Sequence, residues 1–281
     1  MEKLIRGVQR FRETYYAQHR DLFEQLSQGQ HPRVLFISCS DSRVDPALIT
    51  QTDLGDIFVI RNAGNIVPPY GSANGGEGAT IEYAISALNI KQVIICGHSH
   101  CGAMKGLLKL NQIQEDLPLV YDWLQHAQAT RRLVNDNYPD LSGEELMEVT
   151  VAENVLTQIE NLKTYPVVRS RLFQGKLDIH GWVYHIETGE VLAYNPDTHA
   201  YEYPQTELEQ YHPEVGPAPG RYVRTSAPVV ACENPHYLGQ PQAEDHSAYT
   251  TPQQPSSPRG SQETFVPTWL SPEQAHRIYN G

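Results

Sequence analysis

RVLFIS (33–38), DIFVIRN (56–62) and KQVIIC (91–96) are three short apolar runs, each rich in β-branched residues and bounded by turn-forming or charged ones. Runs of this length without polar alternation fit strands buried on both faces, as in a parallel sheet. Between the second and third lies a loop rich in Gly, Pro and Asn, then a helical pattern with Ile81, Ala84, Ile85 and Leu88 on one face. Strand, helix, strand is the βαβ order, with a right-handed crossover expected.

Outward from this unit, Leu4, Val8, Phe11, Tyr15, Leu22 and Leu26 recur at helical spacing, so residues 3–27 read as one amphipathic helix or two in series, an arm lying against something larger. Two further helices are expected at about 119–135 and 143–163. A Ser142…Glu145 capping box opens the second, which points Val149, Ala152, Leu156 and Ile159 inward. HGWVYHIETGEVLAYN (180–195) has two alternating runs around Thr188-Gly189, the pattern of a hairpin at a sheet edge. The expected fold is α/β: a mostly parallel central sheet flanked by helices, with an N-terminal helical arm and an edge hairpin, closing near residue 197.

Residues 198–263 hold most of the later prolines with many Gln, Ser, Gly and Tyr and no sustained periodicity, and read as a partly flexible extension. In 264–281 the pattern changes. Ser271 is placed as an N-cap, Pro272 at the first helical position and Gln274 to complete a capping box, so a short helix is expected there.

Composition narrows the function. Over 281 residues, 33 acidic against 21 basic side chains give a formal charge of −12, which offers no footprint for nucleic acid or an anionic membrane surface. The amino terminus has no signal-type apolar core and no stretch is long enough to span a bilayer, so a soluble protein without membrane insertion is expected. Four cysteines, Cys39, Cys96, Cys101 and Cys232, are too few and scattered for a disulfide-stapled scaffold. A reducing compartment, with thiolates available for chemistry, fits better.

Cys39 ends the first strand in ISCSDSR, while His98 and Cys101 follow the third in CGHSHCG. Parallel strands bring these loops together at the carboxyl edge of the sheet, where open α/β folds place their sites. Two thiolates and one imidazole suit Zn2+, and three protein ligands leave a fourth position for water. Each residue taken singly is as readily a packed core side chain, since free cysteine is often buried for packing alone. Together, Cys-x-Asp-x-Arg after one strand and His-x-x-Cys after another, flanked by Gly97 and Gly102, are hard to explain as packing. A structural zinc would call for four protein ligands.

Asp41 and Arg43 sit two residues apart on the Cys39 loop, and a guanidinium fork can hold the carboxylate in one orientation, ready to accept a hydrogen bond from zinc-bound water. A bland surface ion pair, contributing under about 1 kcal/mol, is the competing reading. Zinc brings the pKa of its water to roughly 7 and makes hydroxide available for attack on an electrophilic carbon.

On CSDSR and GHSHCG, with DIFVIRNAGNIVPPYG, GEGATIEYA and HGWVYHIETGEVLAY, residues 1–195 closely resemble the β-class carbonic anhydrases. The resemblance implies reversible CO2 hydration on one Zn2+ per subunit, with ligands Cys39, His98 and Cys101 and a catalytic dyad of Asp41 and Arg43. It also implies a narrow cleft at a homodimer interface, in a dimer or an oligomer of dimers. There Gln30 would hydrogen-bond substrate, Phe58, Ala63 and Tyr83 would form an apolar wall, and Gly102 would lie beside the metal. Packing explains Phe58, Ala63 and Tyr83 equally well. Phe36 stands where members with a separate bicarbonate pocket are expected to have tryptophan, which argues against that pocket. His100, between two ligands, is a candidate proton relay, with a solvated loop histidine as the plainer reading.

With its tail the chain is similar to the carboxysomal type of cyanobacterial β-carbonic anhydrase. That resemblance implies a cytoplasmic protein inside the carboxysome, recruited to a scaffold protein by its C-terminal tail to supply CO2 for carbon fixation. Ala275, Ile278 and Tyr279 fall on one face of the terminal helix, with Trp269 and Leu270 just before it, a pattern suited to docking in a groove. Folding back on its own domain is the plainer alternative. Two other functions stay open: a related zinc hydrolase acting on carbon disulfide, and a partner-recruiting module with little activity.

Overall fold

The computed structural model describes residues 1–72 and 75–204. Residues 205–281 lie outside the described residues, and with them most of the expected extension, the expected terminal docking helix with Trp269, Leu270, Ala275, Ile278 and Tyr279, and Cys232.

The chain opens with α1 (Glu2–Phe11), one π-helical turn (Arg12–Tyr16) and α2 (Arg20–Ser27). The expected arm is therefore two helices in series. Its aromatic residues meet one another, with Phe11 5.8 Å from Phe23 and 5.9 Å from Tyr15. Leu4, Ile5 and Val8 on α1 remain exposed within the single chain. The central unit follows: β1 (Val34–Cys39), α3 (Pro46–Thr50), β2 (Ile57–Asn62), α4 (Gly76–Ser86) and β3 (Gln92–His98). Then come α5 (Gly102–Leu108), α6 (Pro118–Leu124), α7 (Gln128–Asn137), α8 (Gly143–Lys163) and α9 (Pro166–Phe173), and finally β4 (Asp178–Tyr184), β5 (Val191–Asn195) and β6 (Ala200–Glu202).

The six strands form one sheet in the order β2-β1-β3-β4-β5-β6. The first four run parallel, and β5 and β6 add antiparallel to β4 and β5. The first and third apolar runs are buried as read, with Leu35, Phe36, Ile37, Val93 and Ile95 at most 1% exposed, but the second forms the edge strand β2, where Val59 is exposed and only Ile60 and Asn62 are buried. The hairpin is present, but β6 pairs on β5, so the hairpin is not the sheet edge and the sheet continues past residue 197.

The helix expected at 119–135 is interrupted by a 3-10 turn over Gln125–Ala127, between α6 and α7. Ser142 is the N-cap of α8, yet its side chain makes no capping hydrogen bond. The expected capping box is therefore absent, and Gly143 takes up the bend with a φ of +60°. Of the four inward residues read on α8, Val149 and Ala152 are buried, while Leu156 and Ile159 pack half-buried at the margin of the core. Helix α8 lies directly on the sheet at Gly97, where an added Cβ would stand 2.9 Å from Val155 Cγ2 and 3.0 Å from Val151 Cγ1. This close approach carries polar residues of α8 into the core beneath the loop that follows β2.

Candidate metal centre

Cys39 and His98 are the last residues of β1 and β3, adjacent parallel strands with Ser38 opposite Cys96, so both side chains emerge at one edge of the sheet. The chain then turns through Ser99 and His100, the latter in the left-handed region at φ +55°, and reaches Cys101 as N-cap of α5. One ligand atom from each of Cys39, His98 and Cys101 lies within 4.8 Å of the others, and the two sulfurs are 4.0 Å apart. All three residues are buried.

The orientation of His98 tests whether a metal fits. Its Nδ1 lies 2.8 Å from the Ser99 carbonyl oxygen, so Nδ1–H donates there and Nε2 keeps its lone pair. That Nε2 is fully buried and has no hydrogen-bond partner. A buried polar atom left unmatched costs about 1–3 kcal/mol, and a cation bonded to it removes the deficit. With two sulfurs beside it, the donor set fits a borderline-soft divalent ion such as zinc, with a fourth position open.

The sulfurs are poised for that role. The neighbouring Cys101 thiol pulls the Cys39 thiol down to about 4, against the cost of burial, with help from backbone N–H groups including that of Gly64. Hydrogen bonding to Cys39 and burial push Cys101 up in turn.

Arg43 holds Asp41 in a fork: Nε donates to Oδ1 at 2.9 Å and Nη2 to Oδ2 at 2.7 Å, while the Arg43 backbone N–H donates to Oδ1 at 3.0 Å. These bonds keep the Asp41 carboxyl well below the usual carboxylate range. Its Oδ2 lies 3.9 Å from His98 Nε2. The same guanidinium reaches the His100 carbonyl at 3.3 Å, which ties the Cys39 loop to the His98 turn.

The residues read as a substrate cleft are less closely gathered. Phe58 on β2 and Tyr83 on α4 pack together with ring centroids 6.2 Å apart. Ala63 is exposed after β2, its carbonyl accepting from Trp123 Nε1 at 2.8 Å. Gln30 is exposed in the loop before β1, and Gly102 is exposed at the start of α5 with open space around it. Nε2 of His100 lies 3.6 Å from Glu187 Oε2. Phe36 is fully buried on the other face of the sheet, edge-on to Trp182 at 6.0 Å.

Several supporting residues carry no signal in hydrophobic periodicity. Arg61 donates from Nε to the Cys39 carbonyl at 3.0 Å and from Nη2 to the Asp41 carbonyl at 2.7 Å, fixing the turn between Cys39 and Asp41. The Gly64 N–H donates to Cys39 Sγ at 3.3 Å. The Ser99 hydroxyl donates to Glu187 Oε2 at 2.6 Å and accepts from the Ile186 N–H at 2.9 Å, which anchors the turn that orients His98. Their only sequence cue is nearness to the ligands or to the hairpin turn.

Comparison with known proteins agrees with this geometry. The sequence model of the carbonic anhydrase family matches residues 34–191. A carbonic anhydrase of Synechocystis sp. is 57% identical over 283 residues, spanning 100% of this chain and 99% of the relative. One of Synechococcus elongatus is 59% identical over 286 residues, spanning 100% and 99%. Among solved structures, the β-carbonic anhydrase CcaA superposes with a TM-score of 0.73 at 68% identity, covering 74% of this chain and 93% of that one.

Proposed function

The chain belongs to the β-class carbonic anhydrases of the cyanobacterial type, and from this premise we propose that it interconverts CO2 and bicarbonate on one zinc per subunit, held by Cys39, His98 and Cys101. The observation that carries the assignment of the metal is the buried, unpartnered Nε2 of His98, gathered with two sulfurs. Zinc held there acts as a Lewis acid that makes water a competent nucleophile near neutral pH.

The protein's own groups supply the rest. Arg43 fixes the rotation of Asp41, and Asp41 Oδ2 accepts a hydrogen bond from the attacking water and so aims its lone pair at the carbon. Because Arg43 favours the ionised form, Asp41 serves as an acceptor throughout the neutral range. Phe58, Ala63 and Tyr83 offer apolar surface to CO2, Gln30 a hydrogen bond to the product, and Gly102 room beside the ligands. His100, reaching Glu187, passes the released proton toward solvent.

Exposed Leu4, Ile5, Val8 and Phe11 on the arm, with Val59 on edge strand β2 and Tyr83, support a homodimer or an oligomer of dimers that completes this cleft. Likeness to cyanobacterial relatives over their whole length, tail included, supports a cytoplasmic enzyme drawn into carboxysomes by a scaffold protein that binds the terminal segment.

Elemental analysis of the purified protein is expected to give one zinc per chain, and turnover assays side by side are expected to show CO2 hydration without carbon disulfide hydrolysis. A chain ending at residue 263 is expected to keep hydration and to lose co-sedimentation with carboxysomes. Absence of bound zinc, or carbon disulfide as the better substrate, would overturn the proposal.

A further inference from the structure

Among the fully buried polar residues of helix α8 are Asn154 and Gln158, one turn apart. Asn154 Nδ2 donates to the Gly64 carbonyl at 3.0 Å, and its Oδ1 accepts from Gln158 Nε2 at 2.9 Å. Gln158 Oε1 accepts from the Val67 N–H at 2.9 Å and from Asn161 Nδ2 at 3.0 Å. The two amides thus bracket the loop after β2, one at each end.

Inside that bracket the loop closes on itself. Asn62 Nδ2 donates to the Ile66 carbonyl and Asn62 Oδ1 accepts from the Ile66 N–H, each at 2.8 Å. The feature so fixed is the Gly64 N–H, which donates to Cys39 Sγ at 3.3 Å. Gly64 itself is at φ +86°, a conformation side chains rarely adopt, and it turns its carbonyl to α8 and its N–H to the sulfur. An aliphatic residue at either position would leave the Gly64 carbonyl or the Val67 N–H buried without a partner, at that group's full desolvation cost, so the two amides are tied to this loop and do more than fill space.

We propose that Asn154 and Gln158 are positioning residues for the metal centre. They hold the 62–67 loop so that the Gly64 amide withdraws electron density from the Cys39 thiolate, and this sets how strongly that sulfur donates to the metal. Outer partners of metal ligands tune the ion in this way. The inference rests on the reading of Cys39 as a ligand and extends it to two side chains of α8 that reach the sulfur through the 62–67 loop.

The test uses full-length protein in which Co2+ replaces the native ion, because the sulfur-to-cobalt absorption band reports thiolate donation independently of activity. Two variants are compared with wild type. Asn154→Leu removes the amide and keeps its branched shape, at somewhat larger volume. Asn154→Ser is gentler: its hydroxyl can bond the helix carbonyl one turn back and leaves room for water. Thr130→Val is the control, because its hydroxyl makes a long 3.4 Å contact to Asn154 Oδ1 and leaves the Asn154 bond to Gly64 in place.

Loosening the loop is expected to weaken the N–H···S bond, move the band to longer wavelength and lower hydration by about 10-fold, with Thr130→Val unchanged in both. Cobalt-loaded Asn154 variants that show the wild-type band would overturn the inference, as would loss of the fold in both, since the pair would then serve the core alone. A wild-type protein that takes up Co2+ without any sulfur band would instead refute the ligand assignment beneath it.

Discussion

Arg43 meets both carboxylate oxygens of Asp41, at 2.9 and 2.7 Å, and places one of them 3.9 Å from the free nitrogen of His98. The short spacing in CSDSR makes this possible, because the backbone N–H of Arg43 also closes on Asp41 and leaves the guanidinium a single approach. Arg43→Ala is therefore expected to retain the metal while hydration falls about 10–100-fold, the usual scale for losing a group that orients an inner one. Arg43→Lys should recover little, since an ammonium cannot reproduce the fork. Metal content and initial rates on one sample decide it; an Arg43→Ala variant with wild-type rates contradicts the role.

Gly64 is held at φ +86° with Met104 Cε 2.9 Å and Ala103 Cβ 3.0 Å from where a Cβ would stand. The methionine tip can move aside, but the Ala103 methyl and the backbone strain remain. Gly64→Ala is expected to cost about 1–3 kcal/mol in chemical denaturation. A change within about 0.5 kcal/mol, typical of an unremarkable surface site, would show that the loop relaxes freely.

At Gly97 the obstacle is helix α8, whose Val155 and Val151 stand at 2.9 and 3.0 Å from an added Cβ. Gly97→Ala is expected to destabilise by about 1–3 kcal/mol through overpacking. It should also weaken metal retention, since Gly97 directly precedes His98. Chelator competition and denaturation of the same variant test both; full stability with unaltered metal retention would contradict the direct contact.

Burial alone would raise the pKa of Glu187, but the Ser99 hydroxyl, its own backbone N–H, His100 and His185 outweigh it and hold the carboxyl below its ordinary value. A depressed folded pKa contributes stability above the unfolded value of about 4.3 and loses it as pH falls through the lower folded value. Glu187→Gln should thus be less stable than wild type at pH 7, by under about 1 kcal/mol because the group is 44% exposed. The difference should close in acid, as urea titrations across pH would show. A gap that widens on acidification contradicts the assignment.

Much of the fold is legible in the sequence because burial on both faces leaves its mark on β1 and β3 as unbroken apolar runs, and the candidate metal site is legible because Cys39 and His98 terminate these two strands. Register did the rest: once β1 and β3 are parallel neighbours, Cys39 and His98 share an edge. The signals that failed were local ones. The Ser142 capping box competes with a left-handed Gly143 that turns the side chain away, and the short β6 is too brief to show alternation. The supporting shell of Arg61, Ser99, Asn154 and Gln158 acts through single hydrogen bonds between segments far apart in sequence, as with the 90-residue separation of Asn154 and Gly64. No periodicity records such pairs.

The central claim is that Cys39, His98 and Cys101 hold the metal on which CO2 is hydrated, with Asp41 acting beside it. Stopped-flow CO2 hydration, with zinc content determined on the same samples, tests it most directly for wild type, Cys101→Ala and Asp41→Ala. The expected result is rapid hydration by zinc-replete wild type, loss of zinc and activity together in Cys101→Ala, and loss of activity with zinc retained in Asp41→Ala. Zinc-loaded wild type that fails to hydrate CO2, or Cys101→Ala that keeps both metal and rate, would contradict it.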